Sequence, residues 1–588
     1  MRLSDDSRFY RLGILLAIAT TVTYSNHFPN NFHFDDFHTI VNNVYIKDIR
    51  NIPLFFQDGA TFSSLPTNQS YRPVVTTTLA IDYWLGGGLR PTFFFHLSTF
   101  LLFLAQGACM YILFLGIFRT SCRHEWNRPA ALSAVAWYLL HPAGAETINY
   151  IIARSDSLST LFVILSFVLF VHSPASRRFH LYLVPLAAGC LAKPIAAVFA
   201  PLLLVYVLLF EENPSWADPF RKTLPTFAFC LILLAFIGYM EPPTWVPGGA
   251  SRYNYVITQP YVILRYFTTF FLPFGLSADT DWKPLATIAD VRFVAGSLFV
   301  AALLGIAFVA ARKVRLRPIS FGILWFLITL LPTSLIPLAE VTNDHRVFLP
   351  YVGLVMAVSW TIALALARWK ESAPPDWAFS RWAATGITIL LAAYAYGTTQ
   401  RNEVWRSEET LWRDVVRKSP ENGRGLMNYG LALMGKGDYR GAEKYFIDAK
   451  IFHRCVEDIP FVSVSVRQHG GVEGGHRRAG NRREVFPERD RPRSRLPGVL
   501  LSLCQVPQEW ETIWRGGGKP GEGPEALPGA PGRTQPPHGC LFREFPFREP
   551  GGIGRPDASR CAGGPESLVL QGCHREKEDS LRWIRSQR

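Results

Sequence analysis

Over the first 400 positions the chain alternates long apolar runs with short polar connectors. Eleven runs stand out: Leu12–Tyr24, Thr92–Phe118, Ala130–Leu140, Leu158–Val171, Leu181–Leu191, Ile195–Phe210, Leu224–Met240, Val291–Ala310, Ile319–Leu335, Val347–Ala367 and Trp382–Tyr396. A bilayer is crossed by about 20 apolar residues in a helix. The pattern therefore predicts an all-α, polytopic membrane bundle of about eleven transmembrane helices over residues 1–400. Several runs fall short of that length, and these either extend into flanking neutral residues or enter the bilayer only part-way. The first run follows Arg2, Arg8 and Arg11 and leads into HFPNNFHFDD with no small-x-small cleavage site, which reads as an uncleaved signal anchor.

The connectors give the register an independent check. With the N-terminus inside, the inner loops hold Arg119, Arg123 and Arg128; Arg177 and Arg178; Arg221 and Lys222; Arg312, Lys313, Arg315 and Arg317; and Arg368, Lys370 and Arg381. The first outer loop, 26–91, holds only Lys47, Arg50, Arg72 and Arg90. Basic residues concentrate on the inner side of membrane proteins. The register holds if Tyr261–Leu272, apolar and aromatic but carrying Arg265, lies at the interface within the outer loop Glu241–Asp290.

Composition changes the picture in two places. Only 18% of the 588 residues are charged, which a soluble protein of this size would exceed. The net charge of +14 would suit nucleic acid, but the basic residues flank apolar runs or crowd the C-terminal tail, so the bilayer is the expected partner and nucleic acid is not. Nine cysteines include no CxxC pair; Cys109, Cys190 and Cys230 sit inside apolar runs and read as small buried hydrophobes.

After Arg401 the grammar changes. LMNYGLALMGKGDYRGAEKYFIDAK places Gly430, Ala442, Phe446 and Ala449 where two antiparallel helices would touch, and ETLWRDVVRKSPEN before it ends a helix at Pro420. This is the tetratricopeptide pattern, one full repeat and half of a preceding one, over 401–453. No further repeat follows. Residues 454–588 lose all period, and arginine outnumbers lysine 20 to 2 after Ile451. Such a stretch cannot offset its ordering entropy and is expected to be disordered. Its scattered Cys and Trp point to a reading-frame shift near residues 451–455, which translation of the other two frames would test.

Candidate chemistry gathers in the outer connectors. Asp35 and Asp36 lie just beyond the first helix among His33, Phe34, Phe37 and His38. An adjacent carboxylate pair at a membrane surface can serve as a general base or hold a divalent cation, the one cofactor these residues suggest. Asp35 could equally cap the turn that follows. Arg72, Arg154, Lys193, His345 and Arg346 fall at boundaries on the same outer side, where a cationic set would suit a lipid phosphate. Singly, each reads as a snorkelling or loop residue; their common side makes them a set.

FDDF, SYRPV, FFFHLSTFLL, HPAGAETINYIIARSDSL, LAKPIAAVFAPLLLVYVLL and NDHRVFLPYVGL occur in that order before the repeat segment. The ordered set, over roughly Phe9 to Lys450, resembles the TMTC-type transmembrane and tetratricopeptide-repeat proteins, and their bacterial relatives in particular. The resemblance implies a GT-C glycosyltransferase fold. It also implies transfer of a sugar, mannose in the animal members, from a polyprenyl-phosphate donor to hydroxyls of an extracytoplasmic protein acceptor. Asp35 and Asp36 then take the acidic motif of the first outer loop, and the membrane is a bacterial inner membrane with the repeats on its extracytoplasmic side. Where this chain has Lys193–Pro194 the animal members commonly have Lys-Glu. The competing class is a non-catalytic membrane-anchored scaffold that recruits partners through its repeats. A transporter would need charges near helix midpoints and broken helices in paired halves, which the sequence does not show.

Overall fold

A computed structural model describes residues 2–244, 251–372 and 378–457. Among the described residues every regular element is helical. The main helices are α1 (Arg2–Thr23), α2 (Pro73–Leu85), α3 (Phe93–Ser121), α4 (Asn127–Leu139), α5 (Arg154–His172), α6 (Leu183–Ala192), α7 (Phe199–Phe210), α8 (Asp218–Met240), α9 (Arg252–Phe271), α10 (Val291–Ala311), α11 (Arg317–Leu335), α12 (Phe348–Ser372) and α13 (Ala378–Val404). Then come α14 (Glu408–Lys418), α15 (Gly423–Gly435) and α16 (Tyr439–Glu457). Each of the eleven apolar runs is a helix. Six stretches are long and apolar enough to span a bilayer: Phe93–Ser121, Ile151–His172, Asp218–Met240, Val291–Ala311, Val314–Leu335 and Asp344–Trp369. Phe9–Thr23, Leu183–Ala192 and Pro194–Phe210 are shorter apolar helices. The described residues thus form a membrane helix bundle in which six stretches reach full-span length and shorter apolar helices lie beside them.

Exposure supports that reading. α8 and α10 turn Leu224, Leu231, Ile232, Leu298, Phe308 and Val309 outward, each more than half exposed. Helices apolar on their outer faces need lipid, not water, around them. Inside the bundle, α11 and α12 cross with backbones in contact: a Cβ added to Gly322 would meet the Gly353 carbonyl oxygen at 2.4 Å. Small residues at such crossings are the usual device of helix packing in lipid.

α3 sets the long axis. Its 29 residues span about 43 Å at 1.5 Å per residue. At its start Thr92 and His96 both bond the Asn30 carbonyl, at 2.9 and 3.0 Å. At its far end Phe118 stacks on Trp360, whose indole N–H bonds the Arg315 carbonyl. Beyond His172, which leans on α3 at Gly116, Glu211 accepts from Arg177 at 2.8 Å and from Lys222 at 3.0 Å. The basic connectors at Arg119, Arg177, Lys222 and Arg315 therefore share one end of the bundle, and the first long loop lies at the other.

α9 contains the stretch 261–271 read from the sequence as an interfacial helix. It runs alongside α10 and α11 with Tyr255, Val262, Tyr266 and Phe270 buried. α14–α16 form a helical stack on the loop end. Gly430 of α15 lies under Phe446 of α16, where a Cβ would sit 2.7 Å from the ring, and Ala442 and Ala449 are buried, as the small-residue spacing requires. α16 continues to Glu457; the tail expected to be disordered or out of frame lies outside the described residues from 458 onward.

Candidate functional site

The helical stack rests directly on the loop that carries the aspartate pair. His33 is buried, with Nδ1 2.7 Å from Glu408 Oε1 and Nε2 2.7 Å from the Trp405 carbonyl. Asn30 bonds Asn149 at 2.6 Å and the Asn402 carbonyl at 3.0 Å. Phe34 packs edge-on against Trp412, with centroids 4.9 Å apart, and against Tyr150 at 5.5 Å. Phe34 has φ +48°, in the left-handed region that a bulky residue adopts only when its surroundings force it. This strained residue immediately precedes Asp35.

The turn after Phe34 sends the two carboxylates opposite ways. Asp36 is fully buried, its oxygens accepting the Ile152 and His33 backbone N–H groups at 2.9 and 3.0 Å. Burial pushes its pKa up to about 7 against the opposing pull of those two amides. Asp35 keeps 55% of its side chain exposed and lies 3.2 Å from His38 Nε2. Its backbone N–H donates to the Tyr150 hydroxyl at 3.1 Å. Partial burial pushes the Asp35 carboxyl up, but the His38 hydrogen bond and charge outweigh it and hold it below the usual aspartate value. His38 is itself fixed by Ser63 Oγ, 2.9 Å from Nδ1.

The pair expected from the sequence to act together is therefore split. Asp35 is the solvent-facing carboxylate, and Asp36 anchors the loop. The two carboxylates do not share one face, Asp36 being fully buried on backbone amides and Asp35 exposed, so they do not form a paired site for a divalent cation. No group of three or more His, Cys, Asp or Glu side chains among the described residues is arranged to share an ion.

The five cations divide the same way. Arg154 is wholly buried: it pairs with Asp82 and donates to Thr99 at 3.1 Å and to the Phe95 carbonyl at 2.5 Å. That knot ties α5 to α2 and α3 and removes Arg154 from the phosphate-binding set. Lys193 lies at the break between α6 and α7 and grips both Asp156 oxygens at 2.7 and 2.8 Å. The charges of Arg72 and Arg346 act on it. Arg72 lies over the Phe62 ring at 5.1 Å, and its buried Nε has no partner among the described residues. Arg346 donates to the Glu340 carbonyl at 2.9 Å, and its Nε is likewise buried and unpartnered. His345 is set against Glu146 at 3.0 Å.

One cation escaped the sequence. Arg424, at the start of α15, donates to Asp279 at 2.7 Å and to Glu340 at 2.9 Å, and its charge acts on Asp35. Its partners lie 145 and 84 residues away in sequence, and no local spacing signals such contacts. Through Glu340 it joins Arg346, so the helical stack links Arg346 to a cation that acts on Asp35.

The chain is 24% identical over 495 residues to the mouse protein O-mannosyl-transferase TMTC4, covering 74% of this chain and 65% of that protein. It is 25% identical over 494 residues to the human counterpart, with the same coverages. This chain is a relative of the TMTC-type proteins. Human TMTC3 is 21% identical over 481 residues, with 50% of its length covered. The chain thus spans between half and two thirds of these TMTC-type proteins. No family profile matches it, and neither does any solved structure.

Proposed function

We propose that the chain is a GT-C-type membrane glycosyltransferase. It moves a sugar, mannose by analogy with its relatives' names, from a polyprenyl-phosphate donor to a hydroxyl of a protein acceptor. The observation that carries this is Asp35: an exposed carboxylate held ionised by His38, presented by a strained residue, and acted on by the charge of Arg424. The donor phosphate lies against Arg72, Lys193 and Arg346. The acceptor O–H passes its proton to Asp35 as the oxygen attacks the anomeric carbon. The bond from that carbon to the phosphate oxygen breaks, and polyprenyl phosphate leaves with the electron pair. The cations stabilise its growing charge. α14–α16 act as a tetratricopeptide segment that selects the acceptor.

The positive-inside bias supports placing the Asp35 end in the extracytoplasmic compartment of a bacterial inner membrane, since the basic connectors gather at the opposite end. The test is transfer of labelled mannose from a polyprenyl-phosphate donor by the full chain in liposomes. Asp35→Asn should lower transfer by about 10²–10⁴-fold while Asp36→Asn retains it. Full transfer by the Asp35 variant would overturn the assignment. The scaffold reading draws on one observation, the exposed Met427, Tyr439 and Ile447 of α15 and α16, which offer apolar surface to a partner. A chain that inserts, binds protein and never transfers sugar would favour it.

A further inference from the structure

A cavity of about 270 Å³ opens at the seam between the turn after α9 and the end of α14, and Asp35 does not line it. Its walls include Tyr266, Trp282, Asp281, Asp344, Arg265 and Lys418. Trp282 stacks on Tyr261 with centroids 5.5 Å apart and planes 20° from parallel, which fixes the indole plane. The Tyr266 hydroxyl is pinned between the Asn343 N–H and carbonyl, both at 3.0 Å. Among the described residues Asp344 accepts one bond, from the Ser277 N–H at 2.7 Å, and Asp281 a long one, from the Glu421 N–H at 3.4 Å. Arg265 donates long bonds of 3.3 and 3.4 Å to the Phe274 and Gly275 carbonyls. Lys418 is held by the Leu276 carbonyl at 2.6 Å and by Asp414 at 2.7 Å.

We propose that this cavity binds one neutral sugar unit. Lys418 is already paired with Asp414, and Arg265 and Asp281 carry opposite charges, so neither a phosphate nor an ammonium ligand finds a matching field. A sugar hydroxyl is donor and acceptor at once and can use both kinds of wall, as each underused partner here requires. The C–H face of a pyranose suits a fixed aromatic plane. The volume falls just under the roughly 300 Å³ at which pockets for drug-sized ligands begin, so it suits a single ring. The inference rests on the glycosyltransferase reading only for its place in the reaction. Because Asp35 does not line the cavity, the sugar held here is not the one being transferred; it belongs to an acceptor polypeptide that already carries one.

The test begins with binding alone. Saturation-transfer NMR on the purified full chain, with methyl mannoside, methyl glucoside and N-acetylglucosamine as probes, should show contact with at least one. Trp282→Ala and the nearly isosteric Asp281→Asn should each weaken it by about tenfold or more, a loss of about 1.4 kcal/mol. Asp35→Asn should leave it unchanged, so a failed catalytic assignment and a failed sugar site give different results. No contact with any probe, equal contact in both cavity variants, or displacement by inorganic phosphate would overturn the proposal. In the transfer assay, a raised KM for polyprenyl-phosphate mannose in Trp282→Ala would overturn the acceptor assignment. A raised KM for a mannosylated peptide identifies the acceptor. No change in either overturns the site as a substrate subsite.

Discussion

Arg154 and Arg72 are both arginines at the loop end of one bundle, yet their surroundings give them opposite work. Arg154 is sealed between α2, α3 and α5 with Asp82, a threonine hydroxyl and a carbonyl as partners. Arg72 lies at the rim over an aromatic ring with a buried nitrogen left unbonded. A satisfied buried cation holds structure, whereas Arg72 keeps a donor without a partner among the described residues, which is the basis of its proposed place at the donor phosphate. Arg154→Ala breaks the comparison hardest. It strands Asp82 as an unpaired buried charge and should cost about 3–5 kcal/mol. Thermal unfolding in detergent should show a large loss, and a melting curve like wild type would mean that the knot carries no stability.

Arg72→Ala asks the opposite of the rim. Among the described residues the side chain holds no ion pair, so unfolding should change little. Removing charged hydrogen bonds to a phosphate should raise the KM for the lipid donor by about 10- to 100-fold. Steady-state kinetics against donor concentration reads this out. An unchanged KM would leave Arg72 as a loop residue packed on Phe62 and would remove it from the donor site.

The two aspartates sharpen the comparison within a single turn. Asp36 is favoured in its protonated form because burial raises its pKa to about 7 from an ordinary value of 3.8. The native state then binds more protons than the unfolded chain. Its contribution to stability is full below about pH 4 and is lost as pH rises through 7. The melting temperature should fall between pH 5 and pH 8, and Asp36→Asn should flatten that fall. A slope that persists in the variant would assign it to another group.

Much of this architecture was legible in the chain. All eleven apolar runs are helices, because continuous apolar character over a dozen or more residues leaves few alternatives. The Gly430–Phe446 packing followed from small-residue spacing. Span lengths were not legible, since a run such as Ala130–Leu140 does not show how far its helix is buried by neighbours. Nor was the split between Asp35 and Asp36. Adjacent positions look alike in sequence, and the φ of Phe34 that separates them is set by Tyr150 and by Trp412, far along the chain. Arg424 was hidden for the same reason: its partners are brought to it only by docking of the helical stack.

His38→Ala is the smallest and most discriminating change. Asp35 needs its charge to accept a proton, and His38 holds its carboxyl below the usual value while partial burial pushes the other way. Without the imidazole the burial effect stands less opposed, and the Asp35 pKa rises. The acid limb of kcat/KM should then move to higher pH. The plateau near neutral pH should stay within a few-fold of wild type, because Asp35 remains ionised there. Two other outcomes are informative. A lost plateau would make His38 itself the base, with Asp35 orienting it. An unmoved limb would mean that the group titrating in the profile is not Asp35, and the contrast between the exposed carboxylate and its buried neighbour would lose its chemical meaning.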